Sequence, residues 1–312
     1  MVRKKVLFSI TVFTPTYNRA YILSNLYESL KRQSFHNFEW LIIDDGSTDN
    51  TEELVESWKN QLDFFSIRYY KQENGGKCRA INHALDLAQG ELFFTVDSDD
   101  YLTDDALEKV NKWFGEIAGN ESIAGIVANR GYTPFKTVNY CFAEEHLDKS
   151  LLDMYSFARD GKKVFDGERA FVFYTEFHKK YKYPEFAGEN FMTEAVAWNR
   201  MANDGFLMRF YNDVIWVFEY KEDGLTKAGN ALFLKNPQGY GLWMREKAEF
   251  EKCSLLQLLK MYYAFTCELE NLYDSSKIAQ CIGTPKVLID FFKVLHKIYR
   301  FIKESFLYLR KE

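Results

Sequence analysis

The sequence predicts an α/β protein built on a mostly parallel central sheet flanked by helices, and three observations support that class. Over the first 118 residues, short apolar runs alternate with segments whose apolar residues recur at helical spacing. The runs are continuous, the pattern of strands buried on both faces. Each also ends abruptly in a polar, turn-forming cluster, and the carboxyl ends of parallel strands share one edge of their sheet.

Val6 to Phe13 is the first expected strand, and Ala20 to Gln33 the first helix, with Ile22, Leu23, Leu26 and Leu30 on one face. Phe38 to Ile43 is the second strand, followed by a helix through "NTEELVESWKN" that turns Leu54, Val55 and Trp58 inward. Ile67 to Tyr70 is the third, and "AINHALDLA" places Ile81, Ala84, Leu85 and Ala88 on one helix face. Leu92 to Val96 is the fourth strand, after which Thr103 is positioned to cap a helix running through Leu107, Val110 and Phe114.

Beyond Ile123 the periodicity weakens. "IAGIVANRGY" suggests another strand and turn, residues 131–185 mix rings and charges, and residues 188–202 read as a helix. A strand pair is expected around "LMRFYNDVIWVFEY", then "KEDGLT", then helices from Lys227 onward. The expected organisation is one domain over 1–226, with halves 1–118 and 119–226, and a helical C-terminal extension over 227–312.

With 312 residues, 47% of them hydrophobic, the chain has enough apolar material for a large core. A formal net charge of -5 gives no reason to expect nucleic acid as partner. Five scattered cysteines without a C-x-x-C pair argue against a disulfide framework or a zinc site and suit a reducing, cytoplasmic compartment. The opening "MVRKKVLFSITVF" imitates a signal peptide but lacks a small-residue cleavage site and contains the first strand. No apolar run approaches the ~18 residues of a spanning helix. The five histidines show no metal-binding spacing and are expected to be surface or hydrogen-bonded residues.

The chemistry gathers at three strand ends: "TPTYNR" (14–19), "DDGSTD" (44–49) and "DSDD" (97–100). Asp97, Asp99 and Asp100 repel one another unless a proton or cation intervenes, and a divalent ion with oxygen ligands is the usual remedy. The competing reading is an acidic turn that opens the next helix, where Asp104 and Asp105 already complement the dipole. In "DDGSTD", Gly46 permits a tight turn and Ser47, Thr48 or Asp49 can cap the next helix. Asp44 and Asp45 remain, able to accept a base N–H or a ribose hydroxyl. A diphosphate on so acidic an edge requires a metal, with Lys77 and Arg79 after "NGG" the nearest cations.

Taken in order, "TPTYNR", "IIDDGSTDNT", "NGGKCRAINHAL" and "GELFFTVDSDD" resemble the motif set of family 2 glycosyltransferases, inverting enzymes with the Rossmann-like GT-A fold. The motifs cover about residues 5–115, with weaker similarity to about Thr226. The resemblance implies that Thr14, Pro15 and Tyr17 line a uracil pocket and that Asp44 or Asp45 binds the base. It implies Lys77, Asp97 and Ser98 at the nucleotide sugar, and Asp97, Asp99 and Asp100 around Mn²⁺ or Mg²⁺ on the diphosphate. Family members carry an acidic "ED" step four residues before a Trp and six before an Arg. Glu194, Trp198 and Arg200 keep that spacing, but the pair reads Thr193-Glu194, which leaves the catalytic base open between Glu194 and Glu189.

The expected function is therefore a metal-dependent, inverting transfer from a nucleotide sugar, UDP favoured, to a hydroxyl of a glycan or lipid-linked acceptor in bacterial surface-polysaccharide synthesis. Tyr132, Phe135, Tyr140 and Tyr174 offer rings for the acceptor side, with core packing the alternative. Two other readings stand beside it: a silent nucleotide-sugar-binding or membrane-scaffold protein, and a D-x-D phosphatase with Asp97 as nucleophile. The phosphatase is disfavoured because Tyr101 occupies its Thr/Val position. Residues 285–312 form a basic amphipathic helix, suited either to an anionic membrane face or to packing on the domain or on a second subunit of a homo-oligomer.

Overall fold

The structure is a computed structural model that describes residues 7–60, 65–155, 168–218 and 229–309, without the side chains of 154, 155 and 304–309. The chain divides into two compact units, Met1–Tyr183 with Ala197–Gly224, and Pro184–Val196 with Leu225–Glu312. Within the first, β1 (Phe8–Thr16), α1 (Leu23–Lys31), β2 (Phe38–Asp44), α2 (Thr51–Lys59), β3 (Ser66–Lys71), α3 (Lys77–Leu87) and β4 (Gly90–Thr95) alternate as the sequence predicts. β1 is parallel to both β2 and β4, and β3 is parallel to β2.

These strands form because every residue of β2 is buried and β1 is buried along its centre, leaving no solvent face to alternate toward. One face is covered by α1 and α2, whose Tyr27 and Trp58 stack at 4.3 Å and lie beside Trp40 of β2. Each such ring pair adds about 0.5–1.5 kcal/mol beyond its area. A charged group also sits in this core. Glu39 of β2 is fully buried, accepts from Thr11 Oγ1 (2.6 Å) and Gln89 N–H (2.7 Å), and pairs with Arg68 (2.7 Å). With those partners in place, the cost of burying the carboxylate is offset.

The second half of this unit departs from sequence order. β5 (Tyr101–Leu102) precedes α4 (Ala106–Ile117), followed by β6 (Ile123–Thr133), β7 (Lys136–Thr137), β8 (His146–Lys149), β9 (Ala170–Tyr174), α5 (Thr175–His178), α6 (Ala195–Asn203) and β10 (Leu207–Val217). The sheet order is β3-β2-β1-β4-β9-β6-β10-β5. β9 is antiparallel to both β4 and β6, so β6 and its parallel neighbour β10 point the same way as β1 to β4. Gly125 makes the β6–β9 contact possible, since a Cβ there would stand 2.1 Å from the Val172 carbonyl oxygen.

Three expectations need correction. Thr103 does not cap α4; its hydroxyl donates to Asp105, while its backbone carbonyl accepts from Ala106 N–H. The chain between β4 and α4 instead adds β5, antiparallel to the end of β10. The expected strand pair at 207–220 is one strand, β10, whose register shifts between Phe210 and Val214 absorb the polar Asn212-Asp213 step. The helix expected at 188–202 begins only at Ala195, because the preceding residues hold a neighbouring helix by its end. "KEDGLT" lies outside the described residues.

The second unit is helical: α7 (Asn230–Lys235), α8 (Pro237–Phe250), α9 (Leu255–Leu269), α10 (Ser275–Ile282) and α11 (Lys286–Leu309). Its starts and stops are legible in the chain. Pro237 opens α8, Ser254 and Gln257 form a reciprocal capping box on α9, and Asp274 caps α10 by accepting from Lys277 N–H (2.8 Å). Phe265, Leu269, Ile278, Ile282 and Ile289 make its core.

Candidate active site

Because β1, β2, β3, β4, β6 and β10 run in one direction, the loops that follow them share one edge of the sheet. The first two loops are tied by Asn18, which adopts a left-handed backbone (φ 53°). Its N–H donates to Ser47 Oγ (2.8 Å), and its side-chain oxygen accepts from the Thr48 and Asp49 N–H groups (2.8 and 3.3 Å). Asp49 returns the tie by accepting from Ala20 N–H (3.0 Å) and from the Thr51 hydroxyl at the start of α2. Burial opposes its ionisation, yet those donors hold its carboxyl below the usual range.

Asp44 and Asp45 serve the same scaffold. Asp44 is fully buried and accepts from Ser47 N–H (2.7 Å) and from the Tyr69 hydroxyl. Asp45 accepts from Gln72 Nε2 (2.8 Å), Gly75 N–H (2.9 Å) and Gly76 N–H (2.7 Å), clamping the third loop to the second. Thr14 is also buried, its hydroxyl accepting from Trp40 Nε1 (2.9 Å). Pro15 is half-buried and Tyr17 exposed, while Thr16, which sequence reasoning passed over, is buried with no partner for its hydroxyl among the described residues.

At the end of β4 the carboxylates stand differently. Lys77 Nζ lies 2.7 Å from Asp97 Oδ1. Burial disfavours the charged form of Asp97, but Lys77, Arg130 and Arg19 outweigh it and hold the carboxyl below its ordinary range. Burial and then the charge of Asp97 push Asp99 up. Asp100 is buried and accepts from Trp216 Nε1 (2.7 Å) and Arg130 (2.8 Å) through one oxygen. Burial and Asp97 still push it up to about 7, against the opposing pull of Arg130. Ser98 is buried between them.

Arg130 and Trp216 were missed from the sequence. The Arg130 guanidinium lies 4.4 Å from the Trp216 ring centre and 4.8 Å from that of Phe218. The only signal available was a lone arginine closing the apolar run "IAGIVAN". Tyr132 and Phe135 stand exposed on the β6–β7 hairpin at this same edge, and Tyr140 is exposed nearby in sequence. Tyr174 packs edge-on against Phe114 (4.9 Å) in the core.

Among the described residues no three His, Cys, Asp or Glu side chains form a group able to hold a metal. Asp100 gives one carboxylate oxygen, Oδ2, to both Trp216 and Arg130. Asp97 and Asp99 nevertheless fit a divalent ion shared with a diphosphate. They are hard oxygen donors, and the raised Asp99 carboxyl marks repulsion that a cation would relieve.

The two candidate bases belong to the second unit. Glu189 is buried and accepts from Gln238 N–H (2.7 Å) and Gly239 N–H (2.9 Å), a carboxylate on the N-terminus of α8. Glu194 is half-buried and directly precedes α6. In the first unit, Trp198 of α6 stacks on Phe171 (4.2 Å).

Comparisons with known proteins identify the family to which this fold and these strand-end carboxylates belong. A sequence profile described as Glycosyl transferase family 2 matches residues 11–216, and the chain belongs to that family. Poly(ribitol-phosphate) beta-N-acetylglucosaminyltransferase TarS of Staphylococcus aureus is 34% identical over 112 residues, which cover 35% of this chain and 19% of TarS. GalNAc(5)-diNAcBac-PP-undecaprenol beta-1,3-glucosyltransferase of Campylobacter jejuni is 33% identical over 119 residues, 36% of this chain and 37% of that protein. The chain thus matches well under half the length of these curated relatives.

Solved structures show the shared GT-A fold. S. aureus TarS 1–349 in complex with UDP-GlcNAc aligns with a TM-score of 0.55 at 18% identity, covering 94% of this chain and 92% of that one. Mannosyltransferase PcManGT from Pyrobaculum calidifontis, in complex with GDP-Man and Mn²⁺, aligns with a TM-score of 0.53 at 17% identity, covering 92% and 86%.

Proposed function

We propose that this chain is an inverting glycosyltransferase that moves a sugar from a nucleotide sugar, a UDP-sugar first, to a hydroxyl of a glycan or lipid-linked acceptor in surface-polymer synthesis. The observation that carries the reading is the end of β4 in a chain of this family. There the Asp97 charge presses on Asp99, and at the neighbouring end of β1 the Thr16 hydroxyl lacks a partner among the described residues. Two relatives, one named for a poly(ribitol-phosphate) acceptor and one for a PP-undecaprenol-linked acceptor, support the acceptor class, and residues 1–226 would carry the catalytic domain.

In this reading Asp44 or Asp45 accepts the base N–H, Asp45 first, because it keeps some exposed surface (6%) while Asp44 has none. Asp97 and Asp99 would hold Mn²⁺ or Mg²⁺, which when bound stabilises charge on the departing diphosphate. Lys77, beside Asp97, adds positive charge at the same place. Tyr132 and Phe135 offer ring faces to the acceptor. Glu194 takes the proton from the acceptor hydroxyl as its oxygen bonds to the anomeric carbon. The bond from that carbon to the nucleoside diphosphate breaks in the same displacement, inverting the centre.

The Glu194 assignment follows from the work Glu189 already does at α8. Glu194→Gln should lower kcat by about 10²–10⁴ with an unchanged melting temperature, whereas Glu189→Gln should lower the melting temperature. Near-normal transfer by Glu194→Gln would overturn the assignment. For the donor, a thermal-shift panel of UDP-, GDP-, CMP- and dTDP-sugars with and without Mn²⁺ should show the largest stabilisation for a UDP-sugar with metal. No metal-dependent stabilisation by any of them would overturn the function itself.

A further inference from the structure

We infer that α11 is an interfacial anchor that docks the chain on an anionic lipid surface. The helix carries two apolar stripes. One, formed by Ile289, Phe292 and half-buried His296, packs within its own unit, where Phe292 and His296 lie 5.8 and 6.0 Å from the Tyr263 ring. The other, formed by Val287, Phe291, Val294, Ile298 and Ile302 at helical spacing, is exposed along its whole length, from 74% at Val287 to 47% at Ile302. Leu295 and Tyr299 widen that outer stripe. So much apolar surface on one face is a binding surface or a liability.

Charge selects the occupant. Residues 286–309 hold five basic residues (Lys286, Lys293, Lys297, Arg300 and Lys303) against Asp290 and Glu304, on a chain whose net charge is -5. At about 100° per residue these cations fall outside the outer stripe, on one of its flanks and on the far side, with Lys293 also donating to the Tyr273 carbonyl. Apolar residues facing down with cations at headgroup height is the arrangement of a helix lying in a membrane interface. An antiparallel second copy fits poorly, since a two-fold pairing of that kind through this stripe would bring the cationic flanks of both copies together. The helix does not span: among the described residues none is long and apolar enough to cross a membrane.

Sedimentation of the full chain with vesicles tests this. Binding is expected to vesicles containing phosphatidylglycerol, weaker on pure phosphatidylcholine, and falling as salt rises. Val294→Ser/Ile298→Ser/Ile302→Ser should cut partitioning at least tenfold. Lys297→Glu/Lys303→Glu should cut it about fivefold or more for each charge reversed. Both should leave the melting temperature unchanged, because these side chains are exposed. Failure of the wild type to bind anionic vesicles, or equal binding by both variants, overturns the inference. So does a dimer in light scattering that the serine variant dissolves, which would assign the stripe to a second copy. Donor binding in the thermal-shift panel is read independently, so the two proposals fail separately.

Discussion

Asp44 and Asp45 at the end of β2 are surrounded by donors, from Ser47, Tyr69, Gln72, Gly75 and Gly76. At the end of β4, Asp97 pairs with Lys77 and Asp99 is left facing the charge of Asp97. The same residue type thus does opposite work two strands apart. Satisfied carboxylates build the edge, whereas Asp99 carries a repulsion that a cation would relieve. The deeper pair is also the better satisfied, since Asp44 and Asp45 are buried and Asp97 and Asp99 only half-buried, so the supply of hydrogen-bond donors and not solvent satisfies the first pair.

The sharpest way to break this contrast is Asp99→Asn. Transfer should fall by about a thousandfold or more, while the melting temperature holds or rises, because a repelled charge has been removed. A loss of stability instead would place Asp99 with the scaffold. Asp45→Ala should do the reverse of Asp99→Asn in stability, costing about 3 kcal/mol in urea titration by orphaning three donors.

A smaller effect lies in pH, measured without metal. His178 is buried among rings, both ring nitrogens lacking a partner among the described residues, and burial pushes its pKa down to about 3. As pH falls from about 6.5 to 3 the unfolded chain takes up a proton that the native state refuses, so stability drops by at most ~1.4 kcal/mol per unit. His178→Phe should flatten that slope. Asp100, raised to about 7, has the opposite sign. From about pH 4 to 7 the native state keeps a proton that the unfolded chain has lost, so stability falls as pH rises, and Asp100→Asn should remove that trend. Smallest of all, Asp104→Ala, which breaks a pair with Arg32 exposed on both sides, should cost under ~1 kcal/mol.

β1, β2 and β4 were legible because each is a mostly apolar run buried over most of its length, and β3 because it pairs with β2 a short helix away, so local pattern and final position agree. β9 was not. Its five residues, "AFVFY", look like any apolar scrap, and only the finished sheet shows that they fill the gap between β4 and β6. β5, two residues long, leaves no period to read. The site divided in the same way. Strand-end acids announced themselves by composition, whereas the Arg130–Asp100–Trp216 contact joins residues far apart in the chain and has no local signature. His178 was expected to be a surface or hydrogen-bonded residue; it is neither, since a single histidine carries no sequence sign of the aromatic ring packing around it.

Asn18 has a consequence for how such an edge can change. One left-handed residue fastens the first loop to the second, and Asp45 fastens the second to the third. A substitution in any one of these loops therefore tugs on the other two, so the edge changes shape as a knot that must be retied whole.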